Sequence, residues 1–141
     1  MIETVYIELP FEKIAYLDRP EFHKEEKEFK DALTHSVRTY GMKDPVYCWY
    51  NSKPYKDKIH IIVGNNRMTV AKELGIKTIK AVVTNFKADE FPLRGEVLET
   101  DAEIKKLFHL PNDLQIRRDK NGNVDQVMPP YYRGKVREEY V

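Results

Sequence analysis

A chain of 141 residues, 41% of them hydrophobic and 33% charged, is long enough for one packed core with an appendage and too short for two full-sized domains. Its 24 Lys and Arg against 23 Asp and Glu leave a net charge of +1, which excludes the strongly basic footprint of a constitutive nucleic-acid binder and leaves any such binding to local patches. A single cysteine excludes an intrachain disulfide framework, and no apolar run is long enough to cross a membrane or act as a signal peptide, so a cytoplasmic location is expected.

In chain order, Ile2, Val5, Ile7 and Leu9 combine imperfect alternation with β-branched content, and Pro10 closes them; the reading is a strand over 3–9. A short turn of helix is expected at Phe11 to Ile14, and Asp18-Arg19-Pro20 is a breaker. From Lys24 to Tyr40 the apolar positions Phe29, Ala32, Leu33, Val37 and Tyr40 recur at helical spacing, with EEKEFKD as a solvated face and Gly41 as the C-cap. Ser36 falls near the end of that helix. Pro45 to Tyr50 is an aromatic and β-branched strand joined by the polar loop Asn51 to Lys58 to a second strand, Ile59 to Val63, as a long hairpin. Tyr47, Trp49 and Tyr50 have the π-faces to stack nucleobases, although aromatics at period 2 in a strand more often serve a core. Cys48 reads as a buried small hydrophobe.

At Gly64 the period changes. Met68, Val70, Ala71 and Leu74 lie on one broad helical face, Gly75 is placed to end the helix in the left-handed conformation, and Ile76 to Val83 resume β character. Beyond Asn85, FPLRGEV reads as an irregular linker. Thr100 to Glu103 has the form of a capping box that opens a short helix with Ile104, Leu107 and Phe108 on its apolar side and Pro111 at its end. Leu114 and Ile116, then Asp119 to Gly122, then Val124 and Val127 spell a short hairpin, followed by Pro129-Pro130 and a tail.

The chemistry of this pattern centres on Gly64, Asn65, Asn66 and Arg67. A glycine at a strand-to-helix turn lets backbone approach a ligand, the free N–H groups opening the helix favour an anion, and an arginine one turn in adds a forked cationic donor. The reading is a phosphate seat. For a divalent ion beside it, Asp18, Glu25 and Glu26 are the candidates by rough position, with Asp18 the catalytic candidate. His23, His35, His60 and His109 offer no short-spaced metal pair.

The order and spacing of IELPFEKI (Ile7 to Ile14), Asp18-Arg19, Ser36-Val37, Gly41, Pro45-Val46, Gly64 to Arg67, Ala71 and Leu74-Gly75 resemble the ParB/sulfiredoxin superfamily over residues 1 to 86. That resemblance implies an α+β fold, a small mixed sheet with flanking helices, to which residues 87–141 add a short helix, a β-hairpin and a tail. It also implies a phosphate pocket at Gly64, Asn65, Asn66 and Arg67, with Arg19 and Ser36 assisting. In ParB proteins the glycine-arginine turn belongs to a CTP pocket, in sulfiredoxin to an ATP pocket, and in some relatives to nuclease or small-molecule kinase activity. Departures narrow the choice. Asn65 stands where sulfiredoxins carry their reactive cysteine and ParB proteins a glutamate, and Asn66 and Thr69 stand where ParB proteins carry further arginines. Residues 87 to 141 do not read as the helix-turn-helix domain that ParB uses on DNA.

The resulting expectation is a domain that binds the phosphates of a nucleotide (CTP or ATP, with Mg2+ as an open cofactor) or DNA, with metal-dependent nuclease or nucleotide-hydrolase activity left open. The alternative is a non-catalytic interaction protein of the phage or mobile-element accessory kind that kept the fold and lost the chemistry. Its protein partner would meet the C-terminal extension around Tyr131, Tyr132 and Arg133, and a homodimer is also open.

Overall fold

The computed structural model describes residues 2–17, 27–42, 44–50, 58–118, 120 and 124–126. Asp18, Arg19, His23, Glu25 and Glu26 lie outside the described residues, as do the loop 51–57, most of the Asp119 to Gly122 turn and the tail from 127 onward.

Strand β1 runs over Ile2–Pro10, a single 3-10 turn over Phe11–Lys13, and β2 over Ile14–Ala15. Helix α1 occupies Lys27–Tyr40, β3 Val46–Tyr50, β4 Ile59–Val63, α2 Asn65–Glu73 and β5 Thr78–Lys87. The extension supplies β6 (Glu96–Val97), α3 (Asp101–Phe108), β7 (Arg117–Arg118) and β8 (Val124–Gln126). The first six strands form one mixed sheet in the order β2-β4-β3-β5-β1-β6, and β7 pairs with β8 in a small hairpin. The α+β expectation of a small mixed sheet with flanking helices therefore holds. Pairing is antiparallel between β1 and β5, β1 and β6, and β3 and β4; it is parallel between β3 and β5 and between β2 and β4.

Strand alternation decides which side chains meet which helix, because successive residues point to opposite faces. On one face Val5, Ile7, Leu9, Val46, Cys48, Ile79, Ala81 and Val83 form a cluster with Met68 and Ala71 of α2. Val70, on another side of α2, packs with Leu33 and Val37 of α1. Helix α2 thus lies between the sheet and α1. That position explains why four consecutive residues, Met68 to Ala71, are buried where a surface helix would bury a stripe.

The opposite face belongs to the extension. Tyr47 and Val82 pack with Leu98, Ile104, Phe108, Leu110 and Ile116. Phe108 meets the Tyr47 ring edge-on at a centroid distance of 6.4 Å. The capping box is present with a shifted return contact. The Glu103 amide donates to Thr100 Oγ1 at 3.3 Å, but Glu103 Oε2 accepts from the amide of Glu99 and not from that of Thr100. His109, with φ 54°, ends α3 in the left-handed region two residues before Pro111.

Two strands escaped the sequence reading. β2 follows the 3-10 turn as an edge strand, and β6 falls inside the stretch read as an irregular linker. Each is two residues long, too short for alternation to signal. The chain enters β6, beside β1 at the sheet edge, through Gly95, where a β-carbon would lie 2.7 Å from the Tyr6 carbonyl oxygen and 2.8 Å from Ile7 Cβ.

Because Ile104 is fully buried between α3 and the sheet, Ile104→Ala should cost about 2–5 kcal/mol, with urea unfolding still a single transition. A loss below about 0.5 kcal/mol would show that the extension does not share the core of the sheet.

Candidate functional site

The strand-to-helix turn predicted at Gly64 is present. Gly64 is the N-cap of α2 at φ 129° and ψ 15°, a conformation that L side chains rarely adopt. It is also crowded: a β-carbon on residue 64 would lie 2.7 Å from Val46 Cγ1. Glycine is required twice over, by its dihedral angle and by the β-branched neighbour that fills the space beside it.

Gly64, the N-cap, has no side chain with which to cap α2, and the first turn of the helix carries no acidic residue. The opening amides of a helix have no carbonyl partner within the helix, and the aligned peptide dipoles leave about half a positive charge there. The arginine of that first turn sits close by. Arg67 Nη2 is 3.5 Å from the position a β-carbon of residue 64 would take. Its Nη1 donates to the carbonyl oxygens of Asp44 and Pro45, at 3.0 and 2.9 Å. The guanidinium is therefore oriented by the connection between α1 and β3. Arginine suits that task because its planar donor array can serve several acceptors at once.

Asn65 has a structural partner. Its Oδ1 accepts from the amide of Leu17 at 2.9 Å, tying the chain just beyond β2 to the start of α2. Leu17 immediately precedes Asp18 and Arg19 in sequence. Asn66 is half-buried in the same first turn. Thr69, where ParB proteins carry an arginine, is 1% exposed. Ser36 is fully buried on α1, and its hydroxyl has no hydrogen-bond partner among the described residues. The turn thus brings Gly64, Asn65, Asn66 and Arg67 together, Ser36 stands on the neighbouring helix, and Asp18 and Arg19 are outside the described residues.

Three residues that hold this turn were not singled out as site residues in the sequence: Asp44, Pro45 and Val46. Pro45-Val46 was visible as a motif, but only the fold shows that two carbonyls of this stretch face Arg67 and one side chain faces Gly64.

Burial removes two of the aromatic candidates for base stacking. Tyr47 is fully buried against Phe108, and Tyr50, 2% exposed, packs with Phe86 and Phe91. Trp49 is half-buried. Cys48 is buried as expected; desolvation pushes its thiol far above the usual range, and the nearby Arg67 charge pulls weakly the other way. Partial burial lowers the pKa of His60. Among the described residues no group of three or more His, Cys, Asp or Glu could hold a metal ion, and no helix is long and apolar enough to cross a membrane. An open depression of about 380 Å³ is lined by Pro111, Asp113, Leu114 and Gln115 of the extension and by no residue of the turn.

A six-stranded mixed sheet with a strand-glycine-helix turn leaving β4, and an arginine held in the first turn of the helix, defines a small α+β domain. The chain belongs to the ParB N-terminal domain family, whose model matches residues 2–93. Among solved structures it is similar to chromosome-partitioning protein ParB from Caulobacter crescentus complexed with CTP-gamma-S, at 24% identity and a TM-score of 0.45, over 58% of this chain and 45% of that one. A free serine kinase mutant in complex with AMP aligns at 20% identity and a TM-score of 0.44, over 62% of this chain and 34% of that one. Sulfiredoxin from Arabidopsis thaliana aligns at 20% identity and a TM-score of 0.45, over 60% of this chain and 89% of that one. This chain therefore spans less than half of the ParB and kinase structures. No curated protein matches it.

Two outcomes follow from the geometry. Gly64→Ala should destabilise the fold by about 1–3 kcal/mol, and by less in a Val46→Ala background, because part of the cost is the contact with Val46 Cγ1 and part the backbone angle. Urea unfolding of the single and double variants measures both. Cys48 should resist a thiol reagent in the native protein and react at once in denaturant; rapid labelling without denaturant would contradict its burial.

Proposed function

We propose that this chain binds the phosphates of a nucleotide at the β4–α2 turn. The observation that carries the reading is the start of α2 at a glycine N-cap, which brings no capping side chain, with the Arg67 guanidinium fixed beside it by the Asp44 and Pro45 carbonyls. An anion there would meet backbone amides, the positive end of the helix and a pre-oriented cation, so little conformational freedom would be lost on binding. Gly64, Asn65, Asn66 and Arg67 form the seat. Arg19 and Ser36 assist, Arg19 on the strength of the family likeness and Ser36 because its buried hydroxyl lacks a partner among the described residues.

A nucleotide is favoured over DNA because the net charge is only +1. Binding to a duplex draws on counterion release from many phosphates, which requires many cations on one face; a single seat suits one or a few phosphates. Binding is proposed and no catalytic step is assigned. Asp18, Glu25 and Glu26, the candidate holders of a divalent ion, lie outside the described residues, and Asp18 is also the catalytic candidate. Asn65 itself brings no carboxylate to the turn.

One observation favours the second reading, a protein that kept the fold and lost the chemistry. Asn65 and Arg67 both serve the chain's own backbone, at Leu17, Asp44 and Pro45. On that reading the turn is a structural joint, and the extension carries the partner surface.

A thermal-shift series separates the two. CTP and ATP, each with and without magnesium, and single- and double-stranded DNA are added to the parent and to Arg67→Ala. A nucleotide at 100 times its dissociation constant should add about 2.7 kcal/mol to the stability of the parent. Each variant is compared with its own ligand-free melting temperature, which removes any stability lost with the two carbonyl contacts. Loss of the shift in Arg67→Ala supports the seat. Equal shifts in both proteins would overturn the site, and a flat response to every nucleotide would move the conclusion to the second reading.

A further inference from the structure

The stretch Asp44 to Tyr47 is held from both faces of the sheet. On the α2 side, the Asp44 and Pro45 carbonyls accept from Arg67, and Val46 fills the space beside Gly64. On the α3 side, Tyr47 packs against Phe108. The next residue, His109, places Nε2 3.5 Å from Asp44 Oδ1. Asp44 therefore touches both: its carbonyl faces Arg67 and its carboxylate faces His109. That carboxylate is only 11% exposed, so it is fixed in place, whereas the imidazole is 55% exposed.

His109 also adopts an unfavourable backbone conformation. It sits in the left-handed region, with φ 54°, where glycine is the preferred residue and a larger side chain is strained. The strain at His109 directs attention to the contact its side chain makes with Asp44.

We propose that His109 is a positioning residue for the β4–α2 turn: it anchors the Asp44 carboxylate, and through Asp44 it sets the two carbonyls that orient Arg67. The extension beyond the family-matched segment is then part of the phosphate seat, although it supplies no group that touches the ligand. The consequence for ligand affinity rests on the phosphate-binding reading; the consequence for Arg67 does not.

The test uses the full chain and two variants, His109→Gly and Asp44→Asn. Glycine relieves the left-handed strain at the end of α3, so a purely structural role for His109 predicts equal or higher thermal stability with unchanged binding. The positioning role predicts that stability is held or raised while affinity for CTP or ATP with magnesium falls, about two- to fivefold for a partly exposed pair. Asp44→Asn keeps the carbonyl and removes the charge, and it should weaken binding alike, with no further loss in the double variant. The ligand-free readout is the Arg67 Nε–Hε resonance of nitrogen-15-labelled protein, which should move in both variants and stay in place in an Ile2→Val control, at an exposed residue paired with Lys87 at the far end of β5. An unmoved Arg67 resonance in both variants overturns the proposal whatever the nucleotides do. A parent that ignores every nucleotide overturns the phosphate reading, and the Arg67 resonance still decides the positioning role.

Discussion

Val46 occupies the space that a β-carbon of residue 64 would need, and this close approach is the constraint on which the rest of the structure depends. It fixes where α2 leaves the sheet. With the turn held against the first residue of β3, the helix runs back over Val83, Ala81 and Cys48 and buries Met68 and Ala71 on them. Helix α1 can then close over Val70 with Leu33 and Val37. Without the approach the layers would separate by roughly a methyl group, a gap that a core packed at crystal-like density does not tolerate without loss.

Arg67 follows from the same constraint. A side chain in the first turn of α2 can reach back over the start of its own helix, and the two carbonyls it meets there belong to Asp44 and Pro45. Pro45 has no amide hydrogen to offer, and Val46 follows it directly as the first residue of β3. The chain connecting α1 to β3 thus presents two successive oxygens at one point. A carbonyl at a chain reversal needs a donor, and the arginine supplies it while holding its charge at the end of a helix where an anion is favoured. Structural and functional explanations of Arg67 use the same atoms, so conformational stability and ligand response must be measured separately to tell them apart.

How much of this could be read from the residues depends on the range of the interaction. The strands β1, β3, β4 and β5 and the helices α1, α2 and α3 announce themselves through local period, and Gly64, Gly75 and the Thr100 cap through local stereochemistry. Such signals are contained within a few residues. β2 and β6 are not legible, because two residues pair only when another strand is already in place. The candidate seat shows the same division. Gly64 to Arg67 stand together in sequence and could be singled out, whereas the partners of Arg67 come from 22 and 23 residues away and the partner of Asn65 from 48. The aromatic run of β3 was ambiguous for a related reason. Alternation says that Tyr47 and Trp49 share a face, but not that Phe108 of a distant helix covers the first and leaves the second half-exposed.

The extension and the turn act on opposite sides of one strand, and this arrangement couples them. Val46 points to the α2 face and Tyr47 to the α3 face, one residue apart. A β-strand is a single covalent ribbon whose successive side chains cannot shift independently by more than the small play of its dihedral angles. Whatever displaces Tyr47, including loss of the packing that Phe108 and Ile104 provide, therefore displaces Val46, and with it the space beside Gly64 and the carbonyls that face Arg67. Both residues are fully buried, so neither has solvent to move into. The family-matched segment ends at residue 93, but the physical unit that determines the geometry of its glycine turn runs on through α3.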